Sequence, residues 1–260
     1  ENGILDEPRC RLFLMGKNRW IEAQDFPLEN ATPFSFYLGA EGPANSLLGQ
    51  GRLDLASSAS GSSSFTYNPE RPAPSPFWKE NFQNGTNEDL RPIQRRDDVL
   101  VFTSDVLKEE LNVVGPIMAE LFVSTSAVDT DFVARLSDVS PDGYAQRINS
   151  GIARLRYREG YDRISLVKPG EIIKLQISLW ASGHQFQPGH RVRLEVTSSG
   201  FPTWAPNYNT GGSIWEEVTP IIAEQTVYHS PEYPSRVILP VTSEPHYVDA
   251  WPESRWSSHG

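Results

Sequence analysis

The residues of this sequence that could do chemistry are its serines, histidines and acidic side chains, and their spacing matches few catalytic patterns. A serine hydrolase of the α/β type carries its nucleophile in a G-x-S-x-G turn between a strand and a helix, and this pentapeptide does not occur in the 260 residues. Its nearest equivalent is Gly61 followed by serines, in the run 57–64, whose composition predicts a flexible surface loop. We therefore predict no catalytic residue within this chain.

The five histidines do not show the H-x-x-x-H or H-E-x-x-H spacing that brings two imidazoles to one metal ion. His184 and His190, on either side of a Pro-Gly turn, leave a metal pair open, although structural histidines with satisfied hydrogen bonds are the favoured interpretation. Cys10 is the only cysteine, so neither an intrachain disulfide nor a cysteine zinc site is expected. No metal and no cofactor are predicted.

The acidic residues cluster in VDTDFVARLSDVSPDG, where 138–143 loosely resembles a calcium loop, although its register favours a simple turn at PDG. Asp131 differs from its neighbours because it opens a strand-like run of apolar residues. A buried carboxylate needs a partner, since an isolated one costs several kcal/mol. Arg191 and Arg154, both in strand-like runs, are the candidate partners in a structural ion pair.

The bulk composition limits the classes of partner. A net charge of -10 and a pI of about 5.0 argue against nucleic acid and anionic membranes, whose recognition needs clustered lysine and arginine. No apolar run is long enough to span a bilayer. The strand-like RCRLFLMG begins almost at the first residue, so we expect the sequence to be part of a longer protein.

Strand patterns dominate the chain, from RLFLM near its start to RVILPV at 236–241, and most are bounded by Gly, Pro, Asn or Asp. Helical signals are confined to 105–111, which reads equally well as an acidic bend, and to 213–223, which Pro220 would interrupt. We predict an all-β jelly-roll sandwich with long loops and few short helices. The proline-rich segment 68–92 is the longest loop, and 243–260 forms a tail without alternation.

The residues SSGFPTWAPNYNTGG, 198–212, form the most elaborate turn and are called the corner below. Asn207 and Asn209 are suited to Asx turns or to positive φ. Burial of Phe201, Trp204 and Tyr208 is expected to anchor the loop.

Several long stretches together resemble one known family: RPIQRRDDVLVFTSDVL, GPIMAELFVSTSAVDTDFVARLSDVSPDG, GIARLRYRE, PGHRVRLEVTSSGFPTWAPNYNTGG and PSRVILPV. They are similar to the C-terminal domain of the cocaine esterase and X-Pro dipeptidyl-peptidase group, which includes the α-amino-acid ester hydrolases and cephalosporin acylases. The resemblance implies a galactose-binding-like jelly roll over 1–242, packed on an α/β-hydrolase domain from which about the first 36 residues continue. The Ser-His-Asp triad of the group would lie before this sequence.

The resemblance also implies that the proline-rich segment reaches the active site of the complete enzyme. Phe77 and Trp78 are therefore candidates for the pocket edge, with simple packing onto the sandwich as the alternative. The predicted partner is the hydrolase domain, and a homo-oligomer is left open. The rival functions are a protein-interaction module and a carbohydrate-binding module, in which exposed tryptophans would stack on sugar rings, namely Trp78, Trp204, Trp251 and Trp256.

Overall fold

The computed structural model describes residues 7–57, 61–75, 89–213, 216, 219–243 and 245–248. Its regular structure is almost entirely strand. The strands are β1 (Cys10–Leu14), β2 (Arg19–Ala23), β3 (Thr32–Ala40), β4 (Gly51–Asp54), β5 (Ser62–Tyr67), β6 (Leu100–Ser104), β7 (Leu111–Thr125), β8 (Asp131–Val139), β9 (Ala145–Arg154), β10 (Ile173–Phe186), β11 (Arg191–Thr197), β12 (Ala223–Tyr228), β13 (Arg236–Val241) and β14 (Tyr247–Val248). A short helix, α1 (Arg91–Gln94), and a 3-10 turn (Leu155–Tyr157) complete the described elements. Neither could cross a membrane.

The alternation of side chains in each strand explains how the sheets face one another. In β10, Ile173, Leu175 and Ile177 are buried, whereas the intervening Lys174 and Gln176 are exposed. Successive side chains of a strand point to opposite faces, so this pattern buries one face and leaves the other in solvent. The same rule places Phe132, Ala134 and Leu136 of β8 in the main core.

The strands form an all-β sandwich around this core, as predicted. β7 organises it, pairing antiparallel with β10 on one side and with β12 and β13 on the other. The hydrogen-bonded order continues from β5 through β12, β7, β13, β3, β4, β6, β11 and β8 to β9, and only β4 and β6 pair in parallel. A galactose-binding-like assignment within this class stays a prediction.

A small sheet of order β1-β2-β14 lies beside the sandwich and has its own apolar cluster, which includes Leu14, Ile21 and Val114. Tyr247 and Val248, placed in the tail from the sequence, pair with β2, so this part of the tail joins the fold. The first strand of the sandwich along the chain is β3, which pairs with β13. The boundaries 1–242 and 243–260 remain predictions.

Two local expectations differ from the structure. Residues 62–64 of the serine-rich run are not a loop but the start of β5, because pairing with β12 continues to Ser62. β9 spans Ala145–Arg154, earlier than GIARLRYRE indicates, since the chain turns into the 3-10 helix after Arg154. Of the two alternatives that the sequence left open for 105–111, the structure has the bend, at 105–110 between β6 and β7. The segment 213–223 lies partly outside the described residues.

Candidate functional site

Asp131 is buried and makes the ion pair that its position predicts. Nε and Nη2 of Arg154 donate to its Oδ1 and Oδ2 at 2.7 and 2.8 Å, a bidentate geometry. The two residues face each other across the β8–β9 pair. Arg191, the other candidate, instead donates through Nη1 to the carbonyl oxygen of Ser104 at 2.8 Å. The structure therefore brings Asp131 to Arg154 and not to Arg191.

A second buried carboxylate, Asp129, extends this pair into a network. Arg156 donates to Asp129 from its backbone N–H at 2.9 Å and from Nε at 2.7 Å. Nδ2 of Asn207 lies 2.8 Å from Asp129 Oδ2 and 2.8 Å from Asp131 Oδ1, so a single amide joins the two carboxylates. Asn207 belongs to the corner, which is thus fixed to the start of β8.

Electrostatics explains why these groups must act together. Burial raises the pKa of Asp131, and the fork of Arg154 and the Asn207 amide oppose that rise by stabilising the ionised carboxylate. Two carboxylates this close repel each other unless cations and hydrogen-bond donors compensate them. The network therefore holds β8, the 3-10 turn and the corner in one arrangement.

The corner is anchored by its asparagines more than by its aromatic residues. Asn209 has φ of 66°, its N–H donates to Asn207 Oδ1 at 2.9 Å, and its Nδ2 donates to the Ile221 carbonyl at 2.6 Å. Both asparagines are buried, whereas Phe201 is 50% exposed and Trp204 is half-buried. The expected burial of Phe201 is therefore wrong, because buried polar contacts fix this loop.

A buried polar layer covers the outer face of β8 and β11, the face opposite the main core. Arg135 donates to Glu195 Oε1 at 2.5 Å and to the Ser199 carbonyl at 3.0 Å. Arg193 donates to Gln94 of α1 and to Thr103, each at 2.8 Å, and burial lowers its pKa to about 10. We did not predict this layer, because charged residues alternating with apolar ones in VARLSDV and RVRLEV are typical of a solvent-facing side.

The two described parts of the proline-rich segment lie on this same layer. Toward its start, the Ala73 N–H donates to Ser199 Oγ at 2.8 Å and the Ser75 N–H to the Phe201 carbonyl at 2.6 Å. Toward its end, Asp89 accepts hydrogen bonds from the backbone N–H groups of Arg91 and Ala145. Residues 76–88, with the predicted pocket residues Phe77 and Trp78, lie outside the described residues.

One serine and one histidine make a hydrogen bond that the sequence analysis missed. Ser63 Oγ, in β5, lies 3.0 Å from Nε2 of His229, which directly follows the adjacent strand β12. The two residues are only 5% and 1% exposed. A nucleophile must be reachable by its substrate. This pair is closed to solvent and suits a structural role.

His184 and His190 share one carboxylate. His184 Nε2 and His190 Nδ1 lie 2.8 Å from the two oxygens of Asp138. Within the described ranges, no three residues among His, Cys, Asp and Glu are grouped as metal ligands. The geometry therefore favours a structural His-Asp-His contact, which ties β8 to β10 and to the turn before β11.

Comparison with known proteins identifies the family. Residues 2–238 match the profile described as the X-Pro dipeptidyl-peptidase C-terminal non-catalytic domain. The chain belongs to this family. It is 42% identical over 239 residues to the cocaine esterase of Rhodococcus, an alignment covering 90% of this chain and 42% of that protein. The chain spans about two fifths of the length of the curated relatives it matches.

Solved structures of family members agree with this assignment. An aminopeptidase from a marine sediment Thaumarchaeota archaeon superposes with a TM-score of 0.83 at 29% identity, over 92% of this chain and 41% of the other. An α-amino acid ester hydrolase superposes with a TM-score of 0.82 at 30% identity, over 91% and 41%. The X-Pro dipeptidyl-peptidase C-terminal fold is thus shared by chains more than twice as long.

Proposed function

We propose that this domain completes a serine hydrolase of the α/β type, which cleaves an ester or amide bond through a triad supplied by its partner domain. In that enzyme the serine would attack the carbonyl carbon, the histidine would carry its proton to the leaving group, and water would release the acyl group. The domain would supply the interface and one wall of the substrate pocket. The named activities of the relatives, esterase, aminopeptidase and amino acid ester hydrolase, support this reaction class.

The observation that carries the proposal is the anchoring of the proline-rich segment at both described ends. Ser75 is fixed to the corner and Asp89 to the start of β9, above a layer of buried charges. A loop held at both ends over a rigid sheet can present side chains to a neighbour with little loss of entropy. Phe77 and Trp78 follow directly after the first anchor, which supports their proposed place at the pocket edge.

A chimera tests this role directly. The C-terminal part of Rhodococcus cocaine esterase that aligns with this chain is replaced by this chain, and hydrolysis of p-nitrophenyl butyrate is measured. We expect the chimera to hydrolyse the ester. We expect Phe77→Ala and Trp78→Ala to lower kcat/KM by roughly tenfold, the loss of about 1.4 kcal/mol of contact with the acyl group.

Trp180→Ala is the matched control, because Trp180 is 74% exposed on β10, at the irregularity in the pairing of β10 with β7. It should leave kcat/KM unchanged. A folded chimera in which Phe77→Ala and Trp78→Ala behave like Trp180→Ala would refute the pocket role. A folded chimera without esterase activity would refute the wider proposal that this domain completes such an enzyme.

The family assignment favours this function over the carbohydrate-binding alternative. Of the tryptophans proposed to stack on sugars, Trp78, Trp251 and Trp256 lie outside the described residues, and Trp204 is half-buried against Gly200. The interaction with a second copy of the chain, left open by the sequence, stays a prediction that size-exclusion chromatography with light scattering can test.

A further inference from the structure

The open edge of the sandwich between β9 and β10 contains a groove of about 400 Å³. The two strands first approach closely, since a Cβ on Gly151 would lie 1.9 Å from the Ser178 carbonyl oxygen. Next to this contact, on the side of Arg154 and Lys174, the groove lies between the two strands. Its volume falls within the range of about 300 to 1,000 Å³ that is typical of small-molecule sites.

The groove is lined by polar and apolar groups and has an aromatic wall. Ile152, Ala153 and Leu175 line it, together with Tyr157 and Tyr161. The two tyrosine rings lie 5.7 Å apart at an interplanar angle of 41°. Tyr161 is 89% exposed, an unusual position for a large ring, and its ring contacts that of Tyr157. A flat apolar ligand would cover surface that is now in contact with water.

The charged groups that line the groove are all cationic: Arg154, Arg158 and Lys174. Among the described residues, no carboxylate lines it. Each cation is paired with a carboxylate outside the lining, Arg154 with Asp131, Lys174 with Glu120 at 2.8 Å and Arg158 with Glu159 at 3.4 Å. A ligand would therefore use the donors that these pairs leave available.

Two of these cations keep donors available to a ligand. Arg154 uses Nε and Nη2 for Asp131, and its Nη1 makes no hydrogen bond with the described residues. The Lys174 side chain is 52% exposed, and its ammonium carries three N–H donors. Arg158 is more fully occupied, donating to Leu155, to the Ser165 carbonyl and to the Ser165 hydroxyl. Arg154 and Lys174 therefore each offer a donor to an anionic group in the groove.

We propose that this groove binds an aromatic carboxylate. The carboxylate would accept hydrogen bonds from Arg154 and Lys174, because guanidinium and ammonium donors favour this anion. The ring would lie on Tyr161, beside Tyr157. Inorganic phosphate could bind only to the cations, and a neutral aromatic alcohol could pack only on the tyrosines. Each of these two ligands therefore tests one half of the site.

Benzoate is the probe, added to the full chain labelled with 15N and observed by NMR. We expect saturable shifts at residues 152–161 and 174–178, with Kd on the order of 1 to 10 mM for a ligand of this size. Benzyl alcohol and inorganic phosphate should bind at least about tenfold more weakly. Shifts spread over the whole surface, or equal affinity for either control ligand, would contradict the proposal.

Two variants locate the site. Tyr161→Ala and Lys174→Gln change exposed side chains, so both should fold, which the melting temperature verifies, and both should weaken benzoate binding by about tenfold or more. Lys168→Gln removes an exposed lysine that does not line the groove and should bind benzoate like the parent chain. Unchanged binding in Tyr161→Ala and Lys174→Gln would overturn the assignment.

Discussion

At the scale of single residues, Asn207 connects the corner to two buried carboxylates. Its amide joins Asp129 to Asp131, and its carbonyl oxygen accepts the hydrogen bond that shapes the corner at Asn209. Removal of one partner from a buried charged group leaves that group unsatisfied, which costs more than the hydrogen bond contributed. Asn207 is therefore a structural residue of the carboxylate network and not part of a reactive site.

Asn207→Ala should lower the free energy of unfolding by about 3 kcal/mol, because two buried carboxylates each lose a donor. Urea denaturation monitored by tryptophan fluorescence measures this loss. Asn149→Ala is the matched control, since Asn149 makes one exposed hydrogen bond, to the Ala181 carbonyl at 3.1 Å. It should cost about 0.5 to 1 kcal/mol. Equal losses in the two variants would show that the Asn207 amide contributes no more to the free energy of unfolding than a single exposed hydrogen bond.

Asp89 makes the anchor of the proline-rich segment sensitive to acid. Burial is the largest single influence and would raise its pKa, but it is outweighed by the N–H groups of Arg91 and Ala145 and by the Arg91 guanidinium, which together lower the pKa. Because the pKa of Asp89 is lowered in the folded state, its ionised carboxylate stabilises the fold at pH values above the ordinary aspartate pKa of about 3.9. This stabilisation is lost as the pH falls through the folded pKa.

Asp89→Asn should consequently cost about 1 kcal/mol at pH 7 and progressively less as the pH falls below about 4. Urea unfolding midpoints at pH 7 and pH 3 give the two values. Asp162→Asn changes an exposed loop carboxylate and should have no measurable effect at either pH. A cost for Asp89→Asn that is the same at both pH values would exclude the ionised carboxylate as the anchor.

The residue scale also shows where sequence analysis succeeds. An acidic side chain at the start of an apolar strand must be paired, and Asp131 is paired with one of its two candidate arginines. The choice between them required the strand register, because Arg154 faces Asp131 across β8 and β9 whereas Arg191 lies opposite Val139. Contacts between distant segments, such as Ser63 with His229, leave no pattern in the sequence.

At the scale of elements, alternation predicted the strands but not what covers each face. β8 and β11 have apolar residues on one side and charged residues on the other, which is typical of a sheet with one side in water. Here the charged side is also buried, under α1 and a second apolar cluster that includes Leu90, Ile93 and Val99. The covering segments come from distant parts of the chain, so strand periodicity could not show them.

The contact of β9 with β10 is a further element-scale feature with a clear test. Gly151→Ala should lower the free energy of unfolding by about 3 kcal/mol or more, since its Cβ would lie 1.9 Å from the Ser178 carbonyl oxygen. In Gly61→Ala, the new Cβ meets no described atom within 4 Å, so the change should be nearly neutral. Thermal unfolding of both variants distinguishes a tight strand contact from a general cost of replacing glycine.

At the scale of the whole molecule, the domain has a large apolar core of its own. The main apolar cluster extends through both layers of the sandwich, and the buried ion pairs lie at its margin. Ser63 and His229 are hydrogen-bonded but closed to solvent. The fold class and family could be predicted from the sequence, because strand patterns and long motifs are local. The polar layer depends on tertiary contacts and could not.

The most direct test of this account is covalent labelling of the isolated chain with a fluorophosphonate, followed by intact-mass spectrometry. Rhodococcus cocaine esterase serves as the positive control and should gain one adduct per chain. The chain should unfold cooperatively in urea, which shows that it is folded, and should gain no adduct under the same conditions. Stoichiometric labelling of a serine in the folded chain, with Ser63 the first to examine, would contradict the proposal that its chemistry depends on a partner domain.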